Sequence, residues 1–505
     1  MEALQRLHNR GSVPTGGYEI EHSTVFESTL QDQTYYTQGG TAGTRTKHTW
    51  SAWIKRTKFG TRQQIWEGGT NDAVTTQLGV SFQTNDALEV RAGEYVNGST
   101  AGTVWRLTNR LFRDPAAWYH IVVAFDTTDG TANDRIKIWI NGVQETSFAT
   151  LANPDQNLNL GLFRANAQSS LGVSANNAFF IDAYIAHPAL VYNAQLDADS
   201  FGEFDDGSGI WVPIDLEDVT FGDYGYWMKA DVATTGLTKN SAPNDNTWAR
   251  WDVTILQTTD TPTNNFALLN IMHQYSGTAS HNPTFLHGAT RFTTGRAGYW
   301  QTGIANMGLT SGKWYFEAQP GTSNSHITTI GYGDEGGIHD WAQNIADTHG
   351  FPGETSTNSI GYLGSDTETT YGNVWTGTGT PSGAANSANY TISNIVGVAI
   401  DADNGYIYFA KDNTYINSGN PGSGASGTGG DLFEDTTYVR TGTVFPAVGG
   451  YYHTAVTVVN VNFGGHTSIS ISSAATDANG YGTFEYAPPS GYYAICTKNL
   501  AQYGG

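Results

Sequence analysis

Asp401, Asp403 and Gly405, in "VGVAIDADNGYIYFAKDN", alternate in the manner of a calcium-binding loop. Such a loop draws oxygen ligands from alternate positions, places a glycine at the sixth and closes with a bidentate acid at the twelfth. Gly405 falls one place early, so the register fails. The flanking runs predict a hairpin instead. Val398 and Ile400 alternate into a strand, Asn404-Gly405 makes the turn, and Tyr406 and Tyr408 alternate with Ile407 and Phe409 on the return.

Glu19 and Glu21, in "YEIEH", are spaced to share one face of a strand. Glycoside hydrolysis needs two carboxylates converging on one bond, but no further acid continues the run, and an exposed edge strand with solvated acids is expected. The nearest approach to a serine nucleophile in a strained elbow is "GSGASG" at 422–427, within a glycine-rich stretch that reads as a flexible loop. A single cysteine, Cys496, excludes both an intrachain disulfide and a paired-cysteine metal site. No phosphate loop ending in Gly-Lys-Ser/Thr is present. His281 and His287, in "SHNPTFLHG", read as surface imidazoles. With no catalytic residue identified, the chain is expected not to be an enzyme and to need no cofactor.

The tryptophans bear on binding, because indole faces stack on sugar rings. Trp50, Trp53, Trp118, Trp139 and Trp314 lie in strand patterns and are expected in the core. Trp341 in "GGIHDWAQN" and Trp375 in "YGNVWTGTG" lie in loops. With His339 and Asp340 they form the candidate ligand-binding set.

The elements that must carry these residues are strands. The 505 residues are rich in Gly, Thr, Asn, Tyr and Trp, and runs such as "HTWSAWIKRT", "QLGVSFQTN", "ALEVRAG" and "DRIKIWINGVQ" alternate apolar with polar residues. The last ends in Asn141-Gly142, a two-residue hairpin signal, with Ile136, Ile138 and Ile140 on one face. The fold class is all-β, with two antiparallel β-sandwich domains. The expected organisation is an N-terminal arm over 1–17, a sandwich over 18–230, an irregular bridge over 231–290, a second sandwich over 291–470 and a tail over 471–505 packing on it. Leu4, Arg6, Leu7 and Arg10 give the arm a small apolar and basic face suited to anchoring on another subunit. A formal charge of -22 repels polyanions and argues against nucleic acid as a partner. No run is apolar for long enough to suggest a signal peptide or a membrane span.

Several of these runs carry a resemblance. "TWSAWIKR", "LFRDPAAWYHIVVAFDTT", "RIKIWINGVQETSF" and "SFGEFDDGSGIWVPID" resemble the laminin-G-like, concanavalin-A-type jelly-roll domain of marine bacteriophage virion proteins. From about 297 to 465, "SGKWYFE", "GVAID", "IYFAKDN", "FPAV" and "VNFG" follow the order of an SPRY domain, and "YGTFEYAPPSGYYAICTKNL" resembles the tail that follows SPRY in such proteins. The resemblance implies a structural protein on the particle exterior, assembled in the host cytoplasm: a tail fibre or receptor-binding appendage recognising a host-surface glycan or protein. Its alternatives are a capsid decoration or head fibre protein and, disfavoured by the missing carboxylates, a polysaccharide-degrading enzyme. The implied partners are other virion proteins, tail or capsid subunits, the host receptor and further copies of the chain. SPRY domains face ligands with the loops around Trp341 and Trp375, and a structural calcium ion with unassigned ligands is implied for the first sandwich.

Overall fold

The protein is described from a computed structural model that covers residues 17–37, 43–69, 78–92, 95–96, 99–100, 103–163, 167–174, 177–230, 249–250, 256–273, 282–295, 298–321, 327–334, 352, 359–365, 374–376, 381–382, 389–432, 443–451 and 456–504. The chain divides into two compact units, one ending at Thr263 and the other running from Asn264 to Gly505. The stretch 231–290 is therefore shared between them: Leu256–Thr258 adds to the first unit by pairing with Ser23–Phe26, and Thr284–Leu286 begins a sheet of the second. The arm residues Leu4, Arg6, Leu7 and Arg10 lie outside the described residues.

The first unit is a sandwich of two antiparallel sheets. One runs in space Val143–Gln144, Ile136–Ile140, Tyr119–Asp126, Lys47–Arg56, Ala183–Tyr192, Ser23–Phe26, Leu256–Thr258. The other runs Phe148–Leu151, Thr103–Leu111, Ala87–Ala92, Leu78–Phe82, Gln63–Gly69, Gln168–Leu171, Thr34–Thr37, Ala249–Arg250. Period-two alternation sends Trp50, Ala52 and Ile54 into the shared core with Ile136, Ile138 and Ile140. Asn141 and Gly142 both take positive φ, so Ile140 pairs directly with Val143 as the dipeptide requires. Ser23–Phe26 lies between two strands, not at an edge, and Glu19 and Glu21 precede it as exposed residues around Ile20, whose backbone is fixed by Thr263. This corrects the edge-strand expectation: the Leu256–Thr258 strand supplies the missing neighbour.

The Lys47–Arg56 strand is buried on both faces. Trp53, on the side away from the core, stacks on His120 at 4.6 Å, and the His120 ring is covered in turn by Trp211. Trp118 and Trp139 are buried too, so the strand-borne tryptophans are interior although only some face the sandwich core.

The second unit is also two-layered. A nine-stranded sheet contains Lys313–Pro320, Val396–Asp401 and Tyr406–Lys411 as neighbours, and a six-stranded sheet runs Trp300–Ile304, Val444–Tyr451, Ile327–Asp334, Ser359–Ser365, Val374–Thr376, Pro381–Ser382. Trp314, Phe316, Val398, Ile400, Ile407 and Phe409 fill the space between them. The opposite face, Tyr315, Ala399 and Tyr408, is covered by Phe484, Tyr492, Ala494 and Cys496 of the C-terminal segment. That segment ends in a short helix, Thr497–Tyr503, and its burial pushes the Cys496 thiol up to about 12. No helix among the described residues is long and apolar enough to cross a membrane.

Glu317 fixes this cover. It is fully buried, and its carboxylate accepts from the backbone N–H of Tyr486 at 2.8 Å and of Glu485 at 3.0 Å, from Asn462 Nδ2 at 3.1 Å and from the Tyr315 hydroxyl at 3.3 Å. Burial pushes its pKa up, and the donors pull it back. Glu317→Gln keeps the shape but turns an NH2 toward backbone N–H donors. We expect a loss of about 2 kcal/mol in denaturant melts of the second unit, against well under 1 kcal/mol for Tyr315→Phe, which removes one long bond. Equal effects of the two changes would contradict this assignment.

Candidate functional site

The Asp401 turn is occupied by structure. Asp401 pairs with Tyr406, so the connection is a four-residue loop, Ala402 to Gly405, where the sequence suggested a two-residue Asn404-Gly405 turn. The reason is Asp401 itself: its side chain accepts from Asn404 N at 3.0 Å and Asn404 Nδ2 at 2.9 Å and pairs with Lys313 at 2.8 Å. Asp403 accepts from the Gly312 N–H at 2.7 Å. Asp401 is engaged within the loop and by Lys313, and Asp403 ties the loop to the backbone before the Lys313–Pro320 strand. Among the described residues no three His, Cys, Asp or Glu side chains are grouped to hold a metal ion.

The glycine-rich stretch is ordered, which corrects the flexible-loop expectation. Pro421–Ser426 forms a 3-10 turn capped by Asn420, Tyr492 donates to the Pro421 carbonyl at 3.1 Å, and Ser423 accepts from the Thr428 N–H at 2.9 Å. Gly427 is required because a Cβ there would lie 2.0 Å from the Tyr406 ring, at a φ of +56. The sequence offered composition alone; the aromatic platform under the loop comes from tertiary packing.

One serine–histidine contact in the first unit was not foreseen. Ser51 Oγ lies 2.8 Å from His120 Nε2, and Trp211 Nε1 donates to His120 Nδ1 at 2.8 Å. An acceptor at Nδ1 places the ring proton on Nε2, which then donates to Ser51. The imidazole has no free lone pair to take the serine proton, and burial holds its pKa down to about 3. The pair is a structural bond, not a nucleophile and its base.

Of the proposed binding residues, His339, Asp340 and Trp341 lie outside the described residues. Trp375 lies half-buried in Val374–Thr376, opposite Gly361 on one side and Pro381 on the other, with its indole nitrogen enclosed and unbonded. Val374 points into the core, so Trp375 faces outward from the six-stranded sheet.

A polar floor in the first unit was missed. On the outer face of the second sheet, Gln64, Ser81 and Glu89 pair across three strands, and Ser170, Glu67, Gly79 and Arg91 form the next row. Glu89 is buried and receives Arg91 Nε at 2.9 Å, Gln83 Nε2 at 3.0 Å, Arg91 Nη2 at 3.2 Å and Arg62 Nη2 at 3.5 Å. Arg62 also lies over the Phe179 ring at 4.8 Å. At Gly79 a Cβ would meet Gln64 Nε2 at 2.6 Å, so the floor stays low at its centre. Arg62 and Arg91, with side chains 14% and 15% exposed, lie beside the buried Glu89 carboxylate and the Gln83 amide, a donor and acceptor array whose chemistry suits vicinal hydroxyls. The signal was in the sequence: Ser81 alternates with Val80 and Phe82, and Glu89 and Arg91 alternate with Leu88 and Val90.

A small cavity in this unit is mainly apolar. It encloses about 10 Å³ between Leu162, Phe163, Ala167, Ser169, Leu190, Tyr224 and Tyr226, room for about one water.

With this geometry in hand, comparison with known proteins gives a match for part of the chain. Residues 30–200 match the concanavalin A-like lectin/glucanases superfamily. The match ends inside the first unit. Among solved structures, the SPRY domain of human HERC1 is similar at 17% identity and a TM-score of 0.23, covering 34% of this chain and 87% of that one. The native heptameric SAP-like pentraxin from Limulus polyphemus is similar at 12% identity and a TM-score of 0.26, covering 36% and 80%. Neither likeness is strong enough to assign a ligand. No curated protein matches the chain.

Buried histidines set an acid limit. His48 stacks on Phe125 at 4.5 Å with neither ring nitrogen bonded, and burial holds its pKa down to about 3, as for His120. The unfolded chain takes up these protons near the ordinary value of 6.5, so the stability they contribute is full above that pH and drains as pH falls toward 3. The slope is up to about 1.4 kcal/mol per pH unit per histidine. His48→Phe should reduce the fall of melting temperature between neutral and acid pH while costing little at neutrality; an unchanged slope would contradict it.

Proposed function

We propose that this protein is a non-catalytic structural component of a bacteriophage particle, displayed on its exterior, whose concanavalin A-like unit binds a host-surface glycan. The observation that carries this reading is the polar floor around Glu89, Arg91 and Arg62 on a sheet face of that unit. The order of motifs over both units, with its resemblance to marine phage virion proteins, supports the setting as a tail fibre or receptor-binding appendage. The acidic surface favours neutral or cationic sugars over polyanionic ones.

The test is binding of the full chain to polysaccharide panels from candidate hosts. Arg91→Ala is expected to weaken binding by about 10-fold or more, equivalent to the 1.4 kcal/mol of one charged hydrogen-bond pair, with no sugar release in reducing-end assays. Binding undiminished by Arg91→Ala would move the site elsewhere, and turnover would overturn the non-catalytic reading. Copy number in purified virions separates a fibre, in a small multiple of the tail symmetry, from a capsid decoration protein.

A further inference from the structure

Lys55 and Asp260 meet inside the first unit in an arrangement that an ordinary ion pair does not need. Lys55 Nζ lies 2.8 Å from Asp260 Oδ2, and both side chains are completely shielded from solvent. The walls are aromatic. The ammonium lies 5.5 Å from the centre of the Tyr184 ring, and Trp118 packs edge-on against that ring while its indole N–H donates to Asp260 Oδ1 at 3.3 Å. The aspartate backbone is fixed as well: its carbonyl accepts from Ser23 Oγ at 2.5 Å and its N–H donates to Thr258 Oγ1 at 3.1 Å.

We propose that Lys55 and Asp260 condense to form an intramolecular isopeptide bond. Two charges in so dry a site gain little over a neutral pair, because the desolvation of both ions offsets their attraction. Transfer of one proton from Nζ to Oδ2 gives an amine and a carboxylic acid already in contact. Burial favours this form, since it pushes the Lys55 amine below its ordinary range even though Asp260 and Asp114 pull it back. A desolvated neutral lysine is a nucleophile. Its lone pair attacks Asp260 Cγ, the C–N bond forms, and the Cγ–Oδ2 bond breaks. Oδ2 leaves as water with the carboxyl proton and one proton from Nζ. Oδ1 remains the carbonyl oxygen, held throughout by the Trp118 N–H, which stabilises the charge that builds there during attack. No oxidant or other reactant is required, and the shielded site keeps bulk water from the tetrahedral centre.

The second unit contains the natural comparison. Lys313 and Asp401 are also 2.8 Å apart, but Lys313 is 26% exposed and Asp401 already carries two bonds from Asn404. Water stabilises the charges there, and that pair stays ionic. In the first unit the amide would tie the Lys47–Arg56 strand to the segment following Leu256–Thr258, two parts of the chain 205 residues apart.

The experiment is intact-mass spectrometry of the full-length protein after denaturation, followed by protease mapping. The expected result is a mass lower than the sequence mass by one water, and a branched peptide joining the fragments that contain Lys55 and Asp260. Lys55→Arg should have its full sequence mass. Wild-type protein at the full sequence mass would overturn the proposal, whatever the folding of the variant. So would a loss of water mapped to a succinimide at Asp129-Gly130 or Asp206-Gly207 in place of the branched peptide. Glycan binding takes no part in this readout, so the two proposals stand or fall separately.

Discussion

A β-sandwich buries one face of each sheet and leaves the other to be dealt with. In both units of this protein an outer face is closed by irregular chain, and a buried carboxylate is what pins that chain in place: Asp260 in the first unit and Glu317 in the second. The alternation of each covered strand follows from this. Lys47–Arg56 shows Trp, Ala and Ile to the core and Ser51, Trp53 and Lys55 to the cover, so nearly every residue is buried and its polar groups must find partners inside. Ser51 finds His120, Lys55 finds Asp260, and Arg56 finds Asp86.

These interior polar contacts have the residue types of active sites without the chemistry. Ser51 beside His120 lacks a free base, Asp401 is bonded within its own loop, Asp403 accepts from the Gly312 backbone, and Glu317 is surrounded by donors. Each satisfies a group that burial would otherwise penalise by about 1–3 kcal/mol. The polar floor around Glu89 differs in carrying two arginine side chains that keep partial exposure, 14% for Arg62 and 15% for Arg91, and the binding proposal rests on them.

Much of the fold was legible from short-range signals. The strand runs, the Asn141-Gly142 turn and the placing of Trp50 and Trp314 inside follow from alternation and turn chemistry alone. What alternation does not report is what lies over the second face of a sheet. Glu19 and Glu21 looked like edge acids because the strand that closes the edge, Leu256–Thr258, is remote in sequence. The "GSGASG" loop looked mobile because its order depends on Tyr406, Tyr408 and Tyr492 beneath it. Asn404-Gly405 looked like a two-residue turn because the bonds that Asp401 makes within the loop are invisible in a pattern of apolar residues. The polar floor was visible as alternating Ser, Glu and Arg, but polar positions on one strand read as solvated until three strands place them side by side.

The central claim is that the irregular cover of a sheet is as much a fixed part of each sandwich as its strands. Amide hydrogen exchange of the native protein tests it most directly at Glu485 and Tyr486, which have no strand neighbour and whose N–H groups donate only to the buried Glu317 carboxylate. Protection comparable to that of Val396–Asp401 is the predicted result. Exchange at the rate of an open loop would contradict it.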